Sequence, residues 1–155
     1  MTDTDAPVSA VADFPLPNDG WAVLNDRVVA RISGPGTDKF LQGQFSQNLD
    51  EVTPDHSPRA AAATPKGRAY CLTRMVRAGE DILMDFPSDL AEDTISHLRK
   101  YLMLFRGTTM DVVPEARIVG ILGSQSAESL AGDAMDSLKE PGDSTALSDG
   151  LLVKT

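Results

Sequence analysis

The 155-residue chain is long enough for one ordinary domain or two small interleaved ones, and with 41% hydrophobic and 24% charged residues it can bury a core. Its 23 acidic and 14 basic residues leave a net charge of −9, which repels a phosphate backbone over most of the surface and removes the usual footprint of a nucleic-acid binder, a local basic patch apart. No apolar run approaches the ~20 residues of a membrane span, residues 1–5 are acidic where a targeting peptide would be basic, and the one cysteine, Cys71, excludes an internal disulfide or a multi-cysteine metal site.

The expected compartment is therefore the cytoplasm, with no membrane partner. Cys71 stands in a strand-like run and reads as a half-buried structural thiol. His56 and His97 lie far apart without a partner at ligand spacing, so both read as surface residues and no metal site is expected.

Residues 1–20 hold three prolines and no periodicity, and read as a flexible acidic leader. Residues 21–33 predict a hairpin: Val23-Leu24, a turn at Asn25-Asp26, then a strand with Val28, Ala30 and Ile32 on one face and Arg27 and Arg31 on the other. Gly34-Pro35-Gly36 breaks the strand. Thr37 is placed to cap a helix running to about Leu49, with Asp38 at the positive end of its dipole. Leu41, Phe45 and Leu49 form its buried stripe. Gln42 and Gln44 lie away from or at the edge of that stripe, and Gly43 in the helix interior points either to tight packing or to close approach of a ligand.

The small side chains of residues 59–64 suit a strand against which something packs closely. Thr64-Pro65-Lys66-Gly67-Arg68 is a turn, followed by a β-hairpin over 69–76 and 82–86, with Ile82, Met84 and Phe86 sharing a face. An amphipathic helix then runs from a Ser88 N-cap to about Phe105, inward at Ala91, Ile95, Leu98 and Leu102. With a strand over 108–113, residues 68–113 make β-β-α-β, part of a split β-α-β arrangement. Residues 117–122 predict a central strand, 124–138 a second amphipathic helix, and 151–153 an apolar strand whose missing neighbour implies a sequence cut short or a strand supplied by another polypeptide.

On chemistry alone, Lys66 and Arg68 flanking Gly67 could clamp a carboxylate or phosphate, because glycine lets the backbone approach while two cations neutralise the charge; a solvated turn is the plainer alternative. No serine elbow, paired carboxylate or nucleotide-binding glycine pattern accompanies them, so no catalytic constellation is present.

The order of parts adds a resemblance. The run from Val28 through Phe40-Leu41-Gln42-Gly43-Gln44 to Leu49, then Thr64-Pro65-Lys66-Gly67-Arg68, then Leu98-Arg99-Lys100-Tyr101, resembles the N-terminal half of the YgfZ-type folate-binding proteins, which are relatives of the glycine-cleavage T-protein, an aminomethyltransferase. The resemblance covers residues 21–122. It implies an α+β fold of interleaved, β-rich domains with packed helices, incomplete in this chain: 21–63 with 114–155 as one domain, 64–113 as the other.

It further implies a tetrahydrofolate pocket, with Gln42, Gln44, Lys66, Gly67 and Arg68 on its wall, and a role in iron-sulfur cluster assembly or repair that includes tRNA-modifying enzymes. Iron-sulfur enzymes or assembly factors would be the partners. Two departures stand beside it. The T-protein's aspartate pair falls on Tyr70 and Cys71, and the Lys-Gly-Cys-x-x-Gly-Gln-Glu motif of YgfZ-type proteins is absent. A folate-dependent one-carbon transferase and a non-catalytic tRNA or protein adaptor therefore remain open as alternatives.

Overall fold

The computed structural model describes residues 17–155, so the leader expected over 1–20 falls outside the described residues up to residue 16. In chain order the elements are β1 (Gly20–Val23), β2 (Arg27–Ser33), α1 (Thr37–Gln44), β3 (Arg59–Ala63), β4 (Ala69–Ala78), β5 (Asp81–Pro87), α2 (Ser88–Leu102), β6 (Thr109–Val112), β7 (Val119–Leu122), α3 (Ser124–Ala131), β8 (Ser144–Leu147) and β9 (Gly150–Val153). Five strands form an antiparallel sheet in the order β3-β4-β5-β2-β6. It draws β2 and β3 from residues 21–63 and β4 to β6 from 64–113, so these two segments share one hydrogen-bonded layer.

α1 and α2 cover the same face of this sheet. Ala30, Ile32, Met75, Ile82, Met84, Phe86 and Met110 project from the strands to meet Phe40 and Leu41 of α1 and Ala91, Ile95, Leu98 and Leu102 of α2, all in one buried cluster. Each large aliphatic or aromatic side chain so buried contributes about 1.5–3 kcal/mol of transfer free energy, so this face holds the fold together. The alternation in β5 works as expected, with Ile82, Met84 and Phe86 at most 1% exposed. β4 changes partners along its length, pairing first with β3 and then, from Met75 onward, with β5. At the hand-over the Asp85 carboxylate accepts the Arg74 backbone N–H at 2.7 Å and also an ion pair from Arg27, satisfying a donor that the sheet itself leaves unpaired.

Several sequence expectations give way to longer-range pairing. β1 and β2 do not form a hairpin: β1 pairs with β7, and Leu24 N–H donates to Ile118 O. The Asp26 carbonyl accepts from Ser88 N–H instead, so the chain passes from one sheet to the other at Asn25-Asp26. β7 is thus one strand of a two-stranded ribbon rather than a central strand, and it is only partly buried.

α1 stops at Gln44. Phe45 is extended (φ −121°, ψ 158°), and Ser46 then exchanges two hydrogen bonds with Ala61, N–H to O at 2.8 Å and Oγ from N–H at 3.0 Å. This contact pulls the chain off the helix axis and onto the edge of β3. Leu49 is buried as expected, but from a 3-10 turn (Leu49–Glu51) capped by Asn48, whose side-chain oxygen accepts Asp50 N–H at 3.2 Å.

The caps also differ. Thr37 lies inside α1 with its hydroxyl on the Gly34 carbonyl, and it is the distant Thr108 hydroxyl that accepts from Gly36 N–H at 2.8 Å. Pro87, not Ser88, precedes α2. The helix expected over 124–138 divides into α3 and a 3-10 segment (Gly132–Ser137), and its inward stripe is not buried: Leu130 is exposed, and of that set Leu138 alone is fully covered. α3 is capped from outside by Asp19, which accepts Ser126 N–H at 3.1 Å. The final strand, β9, pairs within the chain with β8.

Candidate functional site

Thr64, Pro65, Lys66, Gly67 and Arg68 form the tight connection between β3 and β4. Gly67 N–H donates to Thr64 O at 2.8 Å, Thr64 N–H to Arg68 O at 2.9 Å, and Arg68 N–H to the Thr64 hydroxyl at 3.3 Å. Proline presets the second position of the turn, and Gly67 at φ +79° takes the left-handed position that closes it. The register slips by one residue just beyond, between Ala62 and Ala63, leaving Tyr70 as the extra residue of a bulge. Lys66 and Arg68 are exposed at the tip. Among the described residues neither makes an ion pair or a side-chain hydrogen bond.

The glutamines are placed differently from each other. The Gln42 carbonyl oxygen accepts Leu49 N–H at 2.8 Å, so this side chain ties the end of α1 to the following turn. Gln44, the last residue of α1, is half-buried and makes no side-chain hydrogen bond among the described residues. The Ser46–Ala61 bonds bring this end of α1 onto β3, the strand that leads into the cationic turn. No hydrogen bond links either glutamine to Lys66 or Arg68. A Cβ at Gly43 would meet nothing within 4 Å, which removes tight packing inside the chain as the reason for a glycine there.

Sequence reasoning missed one contact beside the turn. Tyr70, His97 and Tyr101 stack edge to face, with centroids 4.9 Å and 5.3 Å apart, joining the bulge of β4 to α2. His97 is therefore half-buried between two tyrosines rather than free on the surface. His56 is also half-buried, paired through its backbone with Thr53 and Asp143. A spacing of four between His97 and Tyr101 was visible, but their meeting with Tyr70 depends on the sheet. Cys71 is buried and burial pushes its thiol up to about 12, with Asp85 adding to the shift and Arg27 opposing it, so it is protonated and unreactive at neutral pH. Tyr70 is likewise pushed above its ordinary value by burial first. Positions 70 and 71 thus offer a packed phenol and a covered thiol.

Among the described residues no group of three or more His, Cys, Asp or Glu side chains could hold a metal ion, and no helix is long and apolar enough to cross a membrane.

The fold is that of the T-protein class. The chain superimposes on the glycine cleavage system aminomethyltransferase T from Bartonella henselae with a TM-score of 0.70, over 85% of this chain and 37% of that one, at 14% sequence identity. In sequence it is similar to the tRNA-modifying protein YgfZ of Yersinia pestis (strain Pestoides F), 28% identical over 108 residues, which are 70% of this chain and 32% of the relative. The YgfZ of Shigella dysenteriae serotype 1 (strain Sd197) matches at the same identity over 33% of its length. No family model matches. The resemblance to YgfZ-type proteins read from the Phe40–Gln44 and Thr64–Arg68 motifs is supported by both comparisons, and the chain spans about a third of the length of the curated relatives it matches.

Proposed function

We propose that this chain supplies one wall of a tetrahydrofolate-binding protein that supports iron-sulfur cluster assembly or repair, including that of tRNA-modifying enzymes, in the cytoplasm. The observation that carries the reading is the β3–β4 turn: two cations without partners among the described residues, Lys66 and Arg68, stand on a glycine-closed loop in a fold of the T-protein class. Folate carries an anionic glutamate tail and a pterin with amide-like edges. Lys66 and Arg68 suit the first, and the unbonded Gln44 suits the second. Gly67 lets the backbone come close, and Gln42 contributes mainly by fixing the end of α1. The name of the YgfZ relatives supports the tRNA-modification context.

A one-carbon transferase is the second reading, favoured by the likeness to an aminomethyltransferase. The covered Cys71 and the packed Tyr70 weigh against this chain supplying its reactive group. A tRNA adaptor is weakened by the net charge of −9. The experiment is calorimetry of the full-length protein with tetrahydrofolate. A Lys66→Ala, Arg68→Ala double variant should bind at least tenfold more weakly, as expected when two charge-assisted contacts are lost. Unchanged affinity would remove the turn from the site.

A further inference from the structure

A second cationic site lies at the other end of β3. Arg59 and Arg74 are direct cross-strand partners, with Cα atoms roughly 5 Å apart by strand geometry. Like charges in that register destabilise a sheet unless something neutralises them. Among the described residues neither arginine forms an ion pair with a carboxylate, and Asp85, which accepts the Arg74 backbone N–H, offsets the repulsion only in part. Arg74 is half-buried and fixed, donating from Nη1 to Ser57 O at 2.6 Å. Burial and then the Arg59 charge hold it below the ordinary guanidinium pKa.

Arg59 and Arg74 line a cavity of about 270 Å³ together with His56, Pro58, Pro141, Gly142 and Thr155. The far wall is tied to the near one. Ser57 N–H donates to Gly142 O at 2.7 Å, and the buried Ser57 and Ser144 hydroxyls bond at 3.0 Å. Gly142 (φ +97°) leaves room for the imidazole, since a Cβ there would come within 2.7 Å of the His56 ring. The Asp143 carboxylate, next to Gly142 in the chain, is engaged elsewhere: its Oδ2 accepts Lys139 and Glu140 N–H, and its Oδ1 lies 3.9 Å from His56 Nδ1.

We infer that Arg59, Arg74 and His56 form a binding site for the phosphate group of a small molecule, distinct from the Lys66–Arg68 turn. Two guanidinium groups on adjacent strands can donate to different oxygens of one tetrahedral oxyanion, and the anion removes the repulsion between them. A cavity of about 270 Å³ has room for a phosphate with a short attached group. Four residues of β3, about 13 Å, separate Arg59 from Ala63 at the turn. Two arginines and a histidine in a chain of charge −9 favour a small molecule over a nucleic-acid backbone, which calls for an extended basic track.

The test is calorimetric titration of the full-length protein with inorganic phosphate at low ionic strength, against chloride at matched ionic strength. Arg59→Gln is the principal variant, because Arg59 is exposed and makes no side-chain hydrogen bond among the described residues, so its loss leaves the fold intact by circular dichroism. Saturable phosphate binding that weakens about tenfold or more in Arg59→Gln, and again in Arg74→Gln, while Lys66→Ala, Arg68→Ala binds phosphate as before, is the expected result. The inference is overturned if phosphate does no more than chloride, or if Arg59→Gln binds phosphate unchanged. Displacement of phosphate by a single-stranded oligoribonucleotide at stoichiometric concentration would overturn it in favour of RNA.

Discussion

Alanine at Gly34, Gly67 and Gly43 should have three different effects, because the backbone and the space differ at each. Gly34 has φ +116°, and a Cβ there would lie 2.1 Å from the Gly107 carbonyl oxygen and 2.8 Å from Thr108 Cα, both main-chain atoms that cannot swing aside. The conformational penalty is about 1–2 kcal/mol and the overlap adds about 1–3 kcal/mol, so Gly34→Ala should cost roughly 2–5 kcal/mol. The substitution also pushes apart the segment through which the Thr108 hydroxyl receives Gly36 N–H at the start of α1. Gly67 has φ +79° but open space, so only the conformational cost of about 1–2 kcal/mol applies. Gly43 sits in α1 with nothing near its missing Cβ, and Gly43→Ala should stabilise by about 0.5–1 kcal/mol. Urea denaturation of the three variants, with slopes of about 1–3 kcal/mol per molar, resolves this order. A Gly34→Ala variant within about 1 kcal/mol of the parent would refute the close main-chain approach. A stabilised Gly43→Ala that also bound tetrahydrofolate more weakly would place the ligand against that helix turn.

The polar groups under the sheet carry three further outcomes. Cys71 has a folded-state pKa raised to about 12 against 9.0 for the free thiol, so the unfolded chain loses its proton first; stability should fall by up to about 1.4 kcal/mol per pH unit between these values, and Cys71→Ala should flatten that part of a pH series of urea melts. In the same variant set, native protein at pH 8 should resist iodoacetamide at Cys71, with labelling only on unfolding, as mass spectrometry would show. Asp85→Ala strands both Arg27 and the Arg74 N–H, and at about one-fifth exposure this should cost about 1–3 kcal/mol; a thermal melt unmoved by the change would mean that water replaces the carboxylate.

The parts of the fold legible in the sequence are those set by local period and turn chemistry. The alternation of Ile82, Met84 and Phe86, the Gly79-Glu80 hairpin and the Ala91 to Leu102 stripe of α2 each follow from residues within one element. The errors share a physical cause, a bond made far along the chain that outbids a local one. Asn25-Asp26 looked like a hairpin turn, but Ser88 takes the Asp26 carbonyl and β7 takes β1. Thr37 and Ser88 looked like caps, but Thr108 serves α1 from seventy-two residues away. The 3.6-residue stripe of 124–138 was real in sequence, yet Gly132 breaks the helix and leaves Leu130 exposed.

The same division runs through the candidate site. The turn was legible because Pro, Gly and the flanking cations lie within five residues. The Arg59–Arg74 pair was not, because facing arginines fifteen residues apart become neighbours only once the β3–β4 register is known. That register depends on the turn: Gly67 closes the hairpin, the bulge at Tyr70 offsets the strands by one, and the offset sets which residues stand opposite each other beyond it. Sliding the pairing by one residue would move Arg74 to the face occupied by Cys71, Thr73 and Met75, where a cation would be buried without a partner. Gly67, which stands between two cations, therefore also fixes the spacing of the second pair, and the Lys66–Arg68 and Arg59–Arg74 pairs are held at opposite ends of one hairpin by a single turn.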